Sequence, residues 1–93
     1  EKPVVDSSKV PEILELYRAK RYESIQEALA AGDPPALKLV LHGKKMASLS
    51  PQIGKLRYLA SLDVARNELS SLPETLSELY YLQGFYANRN RLT

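Results

Sequence analysis

His42 is the chain's only histidine, and with Ser61 and Asp63 it supplies the residue types of a base, a nucleophile and an orienting acid. Such a set needs an enclosed site. If the three sit on neighbouring strands, roughly 4.8 Å apart with parallel, shallow side chains, they form no enclosed pocket. A metal would have to rely on His42 and carboxylates, and no carboxylates show the spacing of a known ligand motif. Absence of cysteine removes disulfides and thiolate sites. The four glycines are scattered, so neither a phosphate loop nor a nucleophile elbow can be drawn. The expectation is a protein without catalysis, cofactor or metal, in which His42 is an exposed strand residue available for binding.

A second group is basic. Arg66 and Arg89 are separated by one full period of the pattern described below, with Lys44, Lys45 and Arg91 nearby. Such a strip could guide an acidic partner or a phosphate, or it could be a solvated edge, since Glu68 interrupts it. The run from Arg18 to Arg21 is expected to be the polar side of a helix.

Ninety-three residues make one domain. At 44% hydrophobic and 26% charged, the chain has the composition of a soluble globular protein. Thirteen basic residues against eleven acidic ones, spread along the length, do not form the clustered basic face of a nucleic-acid binder. No run approaches the roughly 18 apolar residues of a membrane span. Cysteine-free composition fits both cytoplasm and secretion. The chain begins at Glu1 without an initiator Met or an apolar leader, and Thr93 falls inside a repeat, so a piece of a longer protein is expected.

The elements that must carry these residues follow from a period. Leu59, Leu62, Val64, Asn67, Leu69, Leu72, Pro73, Leu76 and Leu79 fit a template that neither a simple helix nor a simple strand produces, and it restarts at Leu82. The step from Leu59 to Leu82 sets the period. Moved back by one period the template meets Leu39, Leu41, Met46, Leu49, Ile53 and Leu56; moved forward it meets Leu82, Phe85, Ala87, Asn90 and Leu92. Each copy divides into a strand, a turn and a return segment, and copies of this kind bury their apolar edge only by stacking on one another. In the second copy the strand is expected at about 61–65, with Leu62 and Val64 inward and Ser61, Asp63 and Ala65 on the open face. Asn67 should satisfy backbone groups in the bend, with stacked copies forming a ladder. Leu72-Pro73 turns the chain, and 74–78 is one helical turn or irregular. The first copy departs from the template: Ala36 replaces the leading Leu, Lys44 the Asn and Ser50 the Pro. Its bend should therefore be looser.

Upstream, residues 1–7 are expected to be extended. Val10, Ile13, Leu14 and Tyr17 have helical spacing, and Ser24-x-x-Glu27 is a capping box in which the Ser oxygen takes a free amide and Glu27 reaches back to the Ser amide. Gly32 would close that second helix as a left-handed cap before Asp33-Pro34-Pro35. The spacing predicts helices over about 9–19 and 24–31. They would cover the open end of the first copy, with Leu14, Tyr17, Ile25 and Leu29 as the lid.

The copies over 36–93 resemble the leucine-rich repeat family, in its form ending Leu-Pro-x-x-Ile/Leu-x-x-Leu, as in Ras-associated scaffold proteins and bacterial multi-repeat proteins. The lead-in Tyr22-Glu23-Ser24-Ile25-Gln26-Glu27-Ala28-Leu29 is similar to that of bacterial members. The resemblance implies an α/β solenoid, a right-handed arc with parallel strands on its concave face, usually used to hold another protein. Residues 1–35 would be lead-in and helical cap, and 36–93 two full repeats and one partial. Members occur in cytoplasm, at cell surfaces and in secretion, so the compartment stays open.

On that arc the concave columns are Lys38, Ser61 and Gly84; Val40, Asp63 and Tyr86; and His42, Ala65 and Asn88. With Arg66 and Arg89 on the edge, these are the candidate partner-binding residues, Gly84 apart. Tyr86 offers a large rigid contact with a hydroxyl, the type enriched at hot spots, or it packs within the sheet against Asp63 or Val40. The expected function is recognition of a protein partner; the alternative is a structural segment that caps binding repeats elsewhere. The last copy should leave Leu82, Phe85 and Leu92 uncovered, which favours self-association.

Overall fold

The computed structural model describes residues 18–32 and 35–92, and its frame is a sheet of four very short strands. These are β1 (Arg21–Tyr22), β2 (Lys38–Val40), β3 (Ser61–Asp63) and β4 (Gly84–Tyr86), hydrogen-bonded in that order and all parallel. One helix, α1 (Ile25–Ala30), lies between β1 and β2. Two 3-10 segments, Pro51–Lys55 and Glu74–Glu78, lie on the return paths between β2, β3 and β4.

The sequence period appears directly as strand register. Lys38 pairs with Ser61 and Ser61 with Gly84; Leu39 pairs with Leu62 and Leu62 with Phe85; Val40 pairs with Asp63 and Asp63 with Tyr86. Because side chains alternate along a strand, one apolar column turns wholly inward while its neighbours face out. Leu39 and Leu62 are fully buried. Coverage depends on having a neighbour on each side. Leu59, Leu62 and Leu69 of the middle copy are 0% exposed, whereas Phe85 and Leu92 of the last are 39% and 38% exposed, with Leu82 half-buried. The uncovered apolar edge expected on the last copy is therefore present at Phe85 and Leu92.

The return segments pack against each other as closely as the strands. Ser50 caps the first 3-10 segment, its Oγ accepting from the Gln52 amide at 3.2 Å, in the place where the template has proline. Thr75 Oγ1 donates to the Pro51 carbonyl at 2.7 Å and ties the second segment to the first. Gly54 is buried at this crossing. A Cβ there would lie 2.8 Å from Thr75 Cβ and 2.9 Å from the Thr75 carbonyl oxygen, so only glycine allows the approach.

The start of the chain departs from expectation. The extended stretch over 1–7 lies outside the described residues, as does the first helix, with Val10, Leu14 and Tyr17, apart from its final positions. Arg21 is not on the polar side of a helix: it opens β1 and pairs with Lys38 of β2. Tyr22 beside it packs on the core while Lys20 Nζ sits 4.8 Å from its ring centroid. The capping box is half formed. Ser24 Oγ accepts from the Glu27 amide at 3.0 Å, but the Glu27 carboxylate meets the Ser24 hydroxyl at 3.4 Å instead of the Ser24 amide. Gly32 is not a left-handed cap, because α1 ends one residue earlier, where Ala31 turns extended (φ −64°, ψ 129°) and its N–H still reaches the Ala28 carbonyl. Ile25 and Leu29 do pack against the core, as a lid requires.

Candidate functional site

The bends that follow the strands are built around two asparagines. Asn67 is 6% exposed and makes five hydrogen bonds. Its Oδ1 accepts from the Lys44 and Met46 amides at 2.9 and 3.0 Å. Its Nδ2 donates to the carbonyls of Leu41, Val64 and Ala65 at 2.8, 2.8 and 3.2 Å. Asn90 repeats the pattern one period later, accepting from Leu69 and donating to Val64, Ala87 and Asn88. The expected ladder is present, and the Val64 carbonyl is shared by both rungs. The first bend, which lacks its own Asn, is not left open: Asn67 of the next copy satisfies it.

These bends position the outward residues. Lys38, Ser61 and Gly84 form one row across the sheet, and Val40, Asp63 and Tyr86 the next. Asp63 Oδ1 accepts from the Ala65 amide at 2.9 Å, and Oδ2 lies 3.4 Å from His42 Nδ1. The carboxylate therefore links two strands and forms an ion pair whenever the imidazole is protonated. His42 stands just past the end of β2 and is exposed, as is Asn88 past the end of β4. Ser61 makes no hydrogen bond to His42, whose partner is Asp63.

Ala65 is a correction. It is 2% exposed rather than presented on the face. β3 ends at Asp63, and the Ala65 backbone is bonded to Asp63, Gly43 and Asn67, which draws the residue into the bend.

Tyr86 is 55% exposed, the most open large apolar residue described. Its ring lies along its own strand over Gly84, where a Cβ would come within 3.2 Å of the ring. The ring thus lies against the bare backbone of Gly84, on the strand next to its register partner Asp63. The result is a flat aromatic surface, open to solvent, on the strand next to the Asp63 carboxylate.

Arg66 and Arg89 occupy equivalent places in successive bends, both exposed and both left-handed, with φ 58° and 60°. Gly43 holds that place in the first bend with φ 65°. Elsewhere the sequence reasoning missed a second aromatic feature. Tyr58 and Tyr81 stack with ring centroids 6.5 Å apart and planes 8° from parallel, flanked by an Arg57–Glu78 ion pair at 2.9 Å. Their separation by the same period is the signal that could have found them. A small apolar cleft of about 210 Å³ opens between α1 and the first 3-10 segment, floored by Ala28, Leu29, Ala36 and Leu56.

Among the described residues no group of three or more His, Cys, Asp or Glu side chains could hold a metal ion, and no helix is long and apolar enough to cross a membrane. No protein-family model matches the chain, and no curated protein matches it in sequence.

Proposed function

We infer that the chain is a segment of a leucine-rich repeat solenoid whose outward strand face receives another protein, without catalysis or a cofactor. The observation that carries the reading is Tyr86, laid flat over Gly84 and open to solvent in register with Asp63, which in turn meets His42. An aromatic ring held in one orientation by its own backbone loses little entropy on contact, which is the property of a hot spot. Lys38 and Val40 extend the face on one side and Asn88 on the other, with Arg66 and Arg89 at its edge. The in-register strands and the repeated asparagine bonds support the solenoid, and 36–93 is its repeat portion under this reading.

The test uses peptides selected from a random library on the intact chain. Their binding should weaken about thirtyfold in Tyr86→Ala, the loss typical of a hot spot. Tyr81→Ala, on the stacked pair elsewhere, should leave it unchanged. Because Tyr86 is largely exposed, the substitution should change stability by less than about 1 kcal/mol in urea denaturation. Selected peptides indifferent to both Tyr86→Ala and Asp63→Ala, on a chain that still folds, would favour the second reading, a structural segment that caps binding repeats elsewhere.

A further inference from the structure

Every non-glycine residue with a left-handed backbone in the described chain is a cation, and all three lie on one edge: Lys45, Arg66 and Arg89, with φ 56°, 58° and 60°. Side chains with a Cβ resist this conformation, and the exceptions are usually Asn or Asp, whose short polar groups bond locally. Arginine and lysine have no such local reason. The first bend shows the relaxed solution, Gly43 at φ 65°, yet the next two bends place arginine there. Folding alone would favour glycine twice more. The arginines therefore stand at this place for what their side chains do.

The surroundings hold them ready. The Arg66 amide donates to the Asn88 carbonyl at 3.0 Å, and the asparagine next to each arginine bonds the carbonyl just before it, at Ala65 and Asn88 respectively. The root of each side chain is thus fixed while the guanidinium is free. Lys44, Lys45 and Arg91 lie in the same bends; all five cations are exposed, and none makes an ion pair with a described residue. Glu68 is the only carboxylate among them. That edge has a surplus of four positive charges in a chain whose net charge is +2, so the remainder of the chain is net negative by two. Successive strands are roughly 4.8 Å apart, well inside the Debye length of about 10 Å at 0.1 M salt, so the fields of neighbouring bends add.

We propose that the edge formed by the three bends, led by Arg66 and Arg89, binds an acidic peptide segment lying across the copies, its carboxylates paired with the guanidiniums. A nucleic acid fits less well, because the edge has few cations and no aromatic residue between them on which a base could stack. The inference extends the strand-face reading, which already sets Arg66 and Arg89 at its edge; the acidic segment lies on the bends and not on the strands that carry Tyr86, so the two readings can fail separately.

A fluorescein-labelled twelve-residue peptide of Asp, Glu and Ser tests it by anisotropy, beside a Gln/Ser peptide and an oligothymidine of the same length. The acidic peptide should bind the intact chain at low salt and weaken steadily as salt is added. Arg66→Gly/Arg89→Gly keeps the backbone conformation, so it should melt no lower than the parent while binding the acidic peptide about tenfold more weakly. Arg18→Gln/Arg21→Gln, which removes the same charge at the other end of the sheet, should bind as the parent does. No binding of the acidic peptide, equal binding by the glycine variant, an equal loss in the Arg18/Arg21 variant, or tighter binding of oligothymidine would each overturn the proposal.

Discussion

Replacing Asn67 with Ala should cost the chain about 4 kcal/mol, the largest loss expected from any polar substitution. The side chain serves two amides and three carbonyls across two neighbouring copies, and it is almost wholly buried. A stranded buried polar group costs about 1–3 kcal/mol, but some of these backbone groups border exposed residues where water can substitute, which lowers the sum. Against a total stability of about 5–15 kcal/mol, such a loss leaves the chain close to unfolding. Asn90→Ala removes the equivalent bonds at a half-buried site, where water reaches more of the freed groups, and should cost about 1–2 kcal/mol. Asn67→Asp should be nearly as damaging as Ala, because a carboxylate can accept from Lys44 and Met46 but cannot donate to Leu41, Val64 and Ala65. Urea denaturation of the three variants ranks them. An Asn90→Ala loss equal to or above that of Asn67→Ala would contradict the ladder as described.

The second large effect belongs to Leu62→Ala, expected at about 3–4 kcal/mol. Leu62 is fully buried between Leu39 and Phe85 in the inward column, with a strand on each side. Its truncation leaves a void that neighbours held by parallel hydrogen bonds cannot easily fill. Phe85 occupies the same place one copy later but is 39% exposed. Despite its larger side chain, Phe85→Ala should therefore cost less, about 1–2 kcal/mol. The reverse order would mean that the middle copy is not covered on both sides.

What the sequence made legible was whatever depends on the period. Leu39, Leu62 and Phe85 could be placed in one column because identical spacing demands identical register, and Asn67 because an amide after a strand can serve donors and acceptors at once. What it hid depends on local competition. β1 is very short and charged at Arg21, and its pairing of Arg21 with Lys38 falls outside the period that relates Lys38 to Ser61, so no pattern announces it. Gly32 matched a left-handed cap, yet the chain leaves α1 by an extended Ala31. Ala65 had the parity of an outward residue, but β3 ends before it, and beyond a strand alternation no longer decides which way a side chain points. The left-handed arginines show in the sequence only as a basic strip, since backbone strain has no signature in residue type alone.

The central claim is the parallel, in-register stacking of copies one period apart, and amide-detected NMR tests it directly. Backbone proton contacts should link the Leu39 strand to the Leu62 strand and the Leu62 strand to the Phe85 strand, all in parallel order and with no slip. Antiparallel contacts, or a pairing displaced by one residue that would turn Leu62 outward, would contradict the account.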